Sequence, residues 1–249
     1  MIDCKSEREI ELMRHAGHVV ALVFESMRSH LVPGISTQEL DELAEEVMIQ
    51  NDCKSSSKGY YGYPGAICIS VNDTLIHGIP STKIIIKEGD IVSFDVVVNY
   101  HGYHADATRT YGVGVISERA KKLMEVTEAS WYKGAEAAIP GNHIGDISNA
   151  IQTYVESYGY SLPREFTGHG IGKSMHEDPS IPNYGKAGTG PLILEGMTFA
   201  IEPMVNEGRK DVRTLGDGWT VKTKDGKLSC HYENTILVTK DGYEILTKL

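Results

Sequence analysis

The sequence predicts an α+β fold of two similar halves, each an antiparallel strand pair covered by helices. Three observations carry this. A long helical stretch, a Pro-Gly break, a shorter helical stretch and then strands occur twice along the chain. The breaks Pro33-Gly34 and Pro140-Gly141 lie 107 residues apart, and the same offset carries Leu40 onto Ile147 and Leu43 onto Ala150. Each half also holds two acids in its strand pair: Asp95 and Asp106 in the first, Glu202 and Glu233 in the second, with Asp95 mapping onto Glu202. No linker or low-complexity tract divides the chain. Residues 1–249 therefore read as one domain of two fused halves, about 1–113 and 114–249.

Composition narrows the function classes. With 41% hydrophobic and 23% charged residues, 249 residues suffice for a large core in an ordinary globular protein. No run approaches the roughly 18 apolar residues of a membrane span. The stretch from Met1 to Arg14 has no basic region followed by an apolar one, so neither a membrane protein nor a signal peptide is expected. Cys4, Cys53, Cys68 and Cys230 are scattered without a C-x-x-C, which fits reduced thiols in a cytoplasmic protein. A formal charge of -10 argues against a nucleic-acid reader, whose phosphate contacts need a basic surface.

Along the chain, Ser6 and Glu9 form a capping box, and Ile10, Met13, Val20, Phe24 and Met27 follow the helical period to about Arg28. His15, His18 and His30 belong to this segment and read as a solvated helix surface. Val32-Pro33-Gly34 breaks it. Ser36 and Glu39 open a second helix, with Leu40, Leu43, Ala44, Val47 and Met48 on its apolar face, ending near Asn51. A Ser/Gly/Tyr-rich loop over 55–65 leads to a strand at 66–71 and then to His77-Gly78-Ile79-Pro80. Residues 91–98 are apolar and β-branched. With the turn-prone Asn99-Tyr100-His101-Gly102 and a second run at 103–113, they predict a hairpin. A turn centred on Tyr100 and His101 would set Asp95 directly opposite Asp106. Ser117 starts a third helix that reaches about Ala138, and a fourth covers roughly 144–157 with Ile147, Ala150, Ile151 and Tyr154 inward. The second strand pair joins 196–205 to 229–238 across a longer excursion, 206–227.

Like charges opposite each other destabilise a sheet, and a half-buried strand is a costly place for a carboxylate. Something positive is therefore expected between Asp95 and Asp106; the bland alternative has one bonding turn backbone and the other facing water. With Glu202 and Glu233 at the same seam, four unpaired carboxylates could not all stay ionised. Two divalent cations would neutralise them. Oxygen-rich ligation suits manganese or iron, and one imidazole shifts preference towards iron, cobalt or zinc. His169, in Thr167-Gly168-His169-Gly170-Ile171-Gly172, is the candidate fifth ligand, because flanking glycines let the backbone approach closely. Near-motifs for other chemistries fail. Gly172-Lys173-Ser174 has Thr167 where a P-loop needs its first glycine, His176-Glu177-Asp178-Pro179 stops short of H-E-x-x-H, and no G-x-S-x-G exists.

Taken together, HGIP at 77–80, the Asp95 and Asp106 spacing, GHGIG at 168–172, His176 in MHEDP, IEPM at 201–204 and YENTILVT at 232–239 resemble the type I methionine aminopeptidases. The similarity covers essentially the whole chain. It implies the pita-bread fold, whose pseudo-twofold halves agree with the repeat. It also implies a dimetal-dependent aminopeptidase that removes N-terminal methionine from nascent proteins and peptides with a small second residue. The short interval from His169 to Glu202 leaves no room for the insertion of type II enzymes, so the chain is similar to the short bacterial form.

By that resemblance Asp95 would hold one metal, Asp106 and Glu233 would bridge both, and His169 and Glu202 would complete the other. The metals would activate water and polarise the scissile carbonyl. Glu202 would double as general base, His176 would hydrogen-bond the carbonyl or the oxyanion, and His77 would hold the backbone beyond the scissile bond. Tyr60, Tyr63, Cys68 and Trp219 would line the methionine pocket, with Met175 near its mouth, and a monovalent cation would sit near Asn72 and Ser229. Ligand type leaves cobalt, manganese, iron and zinc all open. The implied partner is a peptide or nascent-chain N-terminus, met by a cytoplasmic monomer in transient association with the ribosome.

Three positions depart from the family pattern at the pocket rim. Tyr61 stands where histidine or arginine is common, Ser57 where cysteine often occurs and His231 where glutamine is frequent; all three bear on substrate preference. Two rival readings share the fold. An Xaa-Pro aminopeptidase or prolidase-like peptidase can use the same five ligand types but usually carries a further N-terminal domain. A non-catalytic pita-bread binding protein would have no need to retain all five ligands.

Overall fold

A computed structural model describes residues 2–249. Helix α1 (Glu7–His30) starts at Ser6, whose N–H and Oγ–H both donate to Glu9 Oε2 at 2.8 and 2.7 Å. Helix α2 (Thr37–Gln50) repeats the device. Ser36 Oγ accepts from the Glu39 N–H at 3.2 Å, and the Ser36 N–H donates back to Glu39 at 2.9 Å. Orphan N–H groups of a helix start are satisfied in this way, which explains why both boundaries fall where the capping boxes place them. The apolar stripes of α1 and α2 pack on the first hairpin: Val20, Phe24, Leu40 and Met48 share one core cluster with Phe94, Val96, Ala105 and Ala107. His15, His18 and His30 are exposed, as a solvated surface requires.

The second half repeats this plan. Helices α3 (Glu118–Glu136) and α4 (Ile144–Ser157) pack closely where a Cβ on Gly134 would lie 2.7 Å from Ile151 Cδ1. Trp131, fully buried, donates its Nε1–H to Ile201 O at 2.8 Å and ties α3 to the second hairpin. One expectation for α4 changes. Tyr154 is only half-buried and leans on Tyr158, while Val155 takes the inward place beside Ile151.

The first hairpin pairs Ile91–Tyr100 with Tyr103–Gly112. Its turn residues are His101 and Gly102, both at positive φ (49° and 87°), the signature of a two-residue primed turn. The turn therefore lies one residue later than expected. Asp95 faces Thr108 and Asp106 faces Val97, so the two aspartates are diagonal neighbours, not direct opposites. A two-residue change of partner keeps every side chain on its face, and both acids still point the same way.

The second hairpin is one register interrupted once. Thr198–Ile201 pairs with Asn234–Thr239, and Met204–Asn206 pairs with Ser229–His231. Ile201 faces Asn234 and Met204 faces His231, so the break sets Glu202 against Glu233. Thr167–Gly170 adds alongside, with His169 facing Ala200 and Ser180. The two halves meet at strand level. Asp106 N–H donates to Thr235 Oγ1 at 2.9 Å, Thr235 Oγ1–H returns to Asp106 O at 2.9 Å, and Glu233 N–H donates to Thr108 O at 3.0 Å.

The excursion between the second pair of strands is a small hairpin, Val212–Thr214 with Val221–Thr223. It docks on Thr74–Ile76 of the first half and carries Trp219 across the seam. Cys4, Cys53, Cys68 and Cys230 are all unpaired thiols. Among the described residues no helix is long and apolar enough to cross a membrane.

Candidate active site

The seam opens into a single cleft. Its walls include Asp95, Asp106, His169, Glu202 and Glu233, the histidines 77 and 176, and Tyr60, Tyr63, Cys68, Met175 and Trp219. Every expected ligand, catalytic and pocket residue is thus brought together. Asn72 and Ser229 are not part of it. They adjoin each other elsewhere, with Ser229 N–H donating to Asn72 O at 2.9 Å; Asn72 Oδ1 accepts from Ile91 N–H, and Ser229 Oγ–H donates to Asn206 Oδ1.

Asp106 and Glu233 are 4% and 2% exposed, and Asp106 Oδ1 and Glu233 Oε1 have no hydrogen-bond partner. Glu233 Oε2 accepts from Thr108 Oγ1–H at 2.9 Å. Burial first, and then the charges of Glu233, Asp95 and Glu202, push the Asp106 carboxyl well above the ordinary carboxylate range. Burial and neighbouring acids do the same to Glu202 and Glu233, and burial raises Asp95 to about 6. His169 is driven the other way, to about 3, by burial and then by His176, and is a neutral imidazole. Its Nδ1–H donates to Gly170 O at 2.9 Å, which turns Nε2 towards the acids. That Nε2 lies 3.5 Å from Glu202 Oε1 and 3.9 Å from Asp106 Oδ2. Ligand atoms of Asp106, His169 and Glu233 all fall within 4.8 Å of one another. Orphaned buried oxygens, crowded acids and a neutral imidazole aimed among them form a donor set that fits divalent cations and little else.

The wall opposite is aromatic. Tyr63 donates its hydroxyl to Gly78 O at 2.9 Å and to Ile67 O at 3.2 Å, and meets Trp219 edge-on at 5.1 Å. His77, at φ 56°, stands in left-handed backbone that costs a non-glycine residue about 1–3 kcal/mol. Its ring lies between Trp219 and Phe166 and is held neutral by burial, at about 4. His176 Nδ1 is 3.1 Å from the Tyr60 hydroxyl, and its ring centroid is 4.4 Å from that of His169.

The 172–177 turn that presents His176 is clamped from three sides. His104 N–H donates to Gly172 O at 2.8 Å, Ser174 N–H to Glu177 Oε1 at 2.9 Å, and Lys5 Nζ to Glu177 Oε2 at 2.7 Å. Tyr61 is 85% exposed and packs edge-on against Tyr60 of the cleft wall at 4.7 Å, and Ser57 lines the cleft from a buried position. His231 is a correction. It is not at the rim but 2% exposed beneath the acids, with Nε2 3.7 Å from Glu202 Oε2 and 4.0 Å from Glu233 Oε2. The signal was available: two residues before Glu233 on a strand, it shares that residue's face.

Residues 11–240 match the model of metallopeptidase family M24. The chain belongs to that family. Bacterial methionine aminopeptidases are similar to it over nearly their full length. Methionine aminopeptidase 1 of Bacillus subtilis is 51% identical over 249 residues, covering all of both chains. The methionine aminopeptidase of Clostridium perfringens is 52% identical, covering 99% of each. Among solved structures, the methionine aminopeptidase of Thermotoga maritima superposes with a TM-score of 0.99 at 46% identity, covering both chains completely. The prolidase of Pyrococcus furiosus reaches 0.81 at 25% identity, with 65% of its chain covered. The fold of this M24 chain is accordingly the pita-bread fold, and its buried Asp/His/Glu cluster is compatible with the divalent metal of a metallopeptidase.

Proposed function

We propose that this M24 peptidase removes the N-terminal methionine from peptides and nascent proteins whose second residue is small. One observation supports the reading: five side chains of metal-ligating type from both halves converge beside an apolar, sulfur- and aromatic-lined pocket. Asp95, Asp106, His169, Glu202 and Glu233 would hold the two divalent ions. Bound divalent ions supply Lewis-acid polarisation of the scissile carbonyl and lower the pKa of water towards neutrality.

The protein's own groups do the rest. Glu202 accepts the proton of the attacking water and returns it to the leaving amine. His176 donates to the carbonyl oxygen as negative charge develops there, and the Tyr60 contact fixes its ring. His77 holds the peptide beyond the scissile bond in line. Tyr60, Tyr63, Cys68, Met175 and Trp219 receive the methionine side chain, whose polarisable thioether suits aromatic and sulfur neighbours. The two halves work as one catalytic unit, because each supplies ligands to the same seam. On this reading the partner is a free N-terminus, met in the cytoplasm by a monomer in passing contact with the ribosome.

The test is release of free methionine from a Met-Ala-Ser peptide by metal-stripped protein, before and after addition of manganese, cobalt or iron. Release that depends on the metal is expected. Folded protein that releases none with any of the three overturns the proposal and favours Xaa-Pro cleavage or a binding role.

A further inference from the structure

The acid cluster contains one imidazole that the mechanism above does not use. His231 is buried, and its Nε2 is one of the few side-chain nitrogens without a hydrogen-bond partner among the described residues. That atom is aimed at Glu202 Oε2, 3.7 Å away. The other oxygen of the same carboxylate, Oε1, faces His169 Nε2 at 3.5 Å. Glu202 is thus bracketed by two imidazoles, one on each oxygen.

The internal repeat supplies a second, independent observation. The offset that carries Asp95 onto Glu202 also carries Val97 onto Met204. Val97 faces Asp106 in the first hairpin, and Met204 faces His231 in the second. His231 therefore occupies the position of Asp106 in the other half, and Glu233 occupies that of Thr108. Both halves place a polar side chain aimed at the acids at this one ladder position. A buried ring nitrogen with nothing to bond is costly, whereas a donor facing a carboxylate oxygen removes that cost.

We propose that His231 is a positioning residue for Glu202, donating its Nε2–H to Glu202 Oε2 and leaving Oε1 to act beside His169. About 1 Å of side-chain rotation brings the pair within hydrogen-bond range. The inference rests on the divalent-metal reading of the cluster. Outer-shell donors of this kind orient a ligating carboxylate, and their loss typically weakens metal binding or activity about 10–100-fold.

The experiment compares wild type with His231→Gln, which keeps an N–H donor, and His231→Leu, which keeps bulk without one. Stripped protein is titrated with manganese by calorimetry, and steady-state constants are measured on Met-Ala-Ser. His231→Leu is expected to weaken manganese binding about 10–100-fold and to lower kcat with KM little changed. His231→Gln is expected to stay within a few-fold of wild type. Wild-type affinity in His231→Leu, or a loss in His231→Gln as large as that in His231→Leu, overturns the proposal. His231→Met replaces the leucine variant should that one not fold. Wild-type protein that binds no manganese, cobalt or iron would instead remove the metal reading itself, so the two failures are separable.

Discussion

At the scale of single residues, the side chains proposed to hold the divalent centre have different surroundings from those proposed to act on the substrate. Glu233 belongs to the first kind. It is almost wholly buried, with one oxygen bonded to Thr108 and the other unpartnered among the acids. Glu233→Ala is expected to abolish turnover and to lower metal occupancy, and elemental analysis of the purified variant checks this; full occupancy would remove Glu233 from the ligand set. His176 belongs to the second kind. Its contacts are to the Tyr60 hydroxyl and the His169 ring face, not to a carboxylate. His176→Ala should therefore keep both ions and slow the chemical step about 100- to 1,000-fold, as loss of an oxyanion donor does elsewhere. Unchanged kcat in a metal-replete variant would refute that role. The five proposed ligands were legible in the chain, the acids because a carboxylate on an apolar strand is costly unless it has a task, and His169 because flanking glycines let the backbone approach closely. His231 was legible as an inward residue only through its place two residues before Glu233, and which acid it meets was not. Histidine is common on surfaces, and only the exact pairing of the second hairpin turns it towards Glu202.

At the scale of elements, local chemistry located most boundaries and tertiary contacts set the remainder. The capping boxes at Ser6 and Ser36 and the Pro-Gly breaks carry their own hydrogen-bonding logic, and the helices begin where that logic says. The apolar, β-branched run 91–98 likewise marked a buried strand. It could not reveal register, since any of the four turn-prone residues 99–102 could head the turn; Gly102 at φ 87° decides it. The turn that presents His176 was opaque for a different reason. Its anchor is Lys5, 172 residues away in sequence, whose ion pair to Glu177 at 2.7 Å is largely shielded from water. Glu177 in turn holds the Ser174 N–H. Lys5→Met leaves that carboxylate without its charged partner and should cost about 1–3 kcal/mol in denaturant unfolding. It should also lower kcat/KM on Met-Ala-Ser with metal content unchanged, because the ligands lie on other elements. A variant as active as wild type would show that the turn holds His176 without the clamp.

At the scale of the whole molecule, folding gathers charges that the unfolded chain keeps apart, and the consequence is a dependence of stability on pH that divalent ions should reverse. Asp106, Glu202 and Glu233 are raised well above their ordinary values and Asp95 to about 6. A group raised on folding contributes stability that is complete below its unfolded value, near 4 here, and is lost as pH climbs through the folded one. The histidines run the other way. His169 and His231 fall to about 3 and His77 to about 4, so their contribution is complete above 6.5 and is lost as pH falls. Between pH 4 and 6.5 the two sets oppose each other. Above 6.5 the histidine contribution no longer changes, and the raised acids, which keep their protons to higher pH than in the unfolded chain, set the sign of what remains. Metal-stripped protein should therefore melt at progressively lower temperature between pH 6.5 and 8. Cations compete with protons for the same oxygens, so their affinity rises over that interval. The increase in Tm on adding manganese should consequently grow from pH 6.5 to 8, and calorimetry in buffers of different ionisation enthalpy should record protons released on binding. A manganese-induced shift that is flat across this interval would mean that the four acids are already ionised and paired with protein groups, and that the divalent ions bind elsewhere.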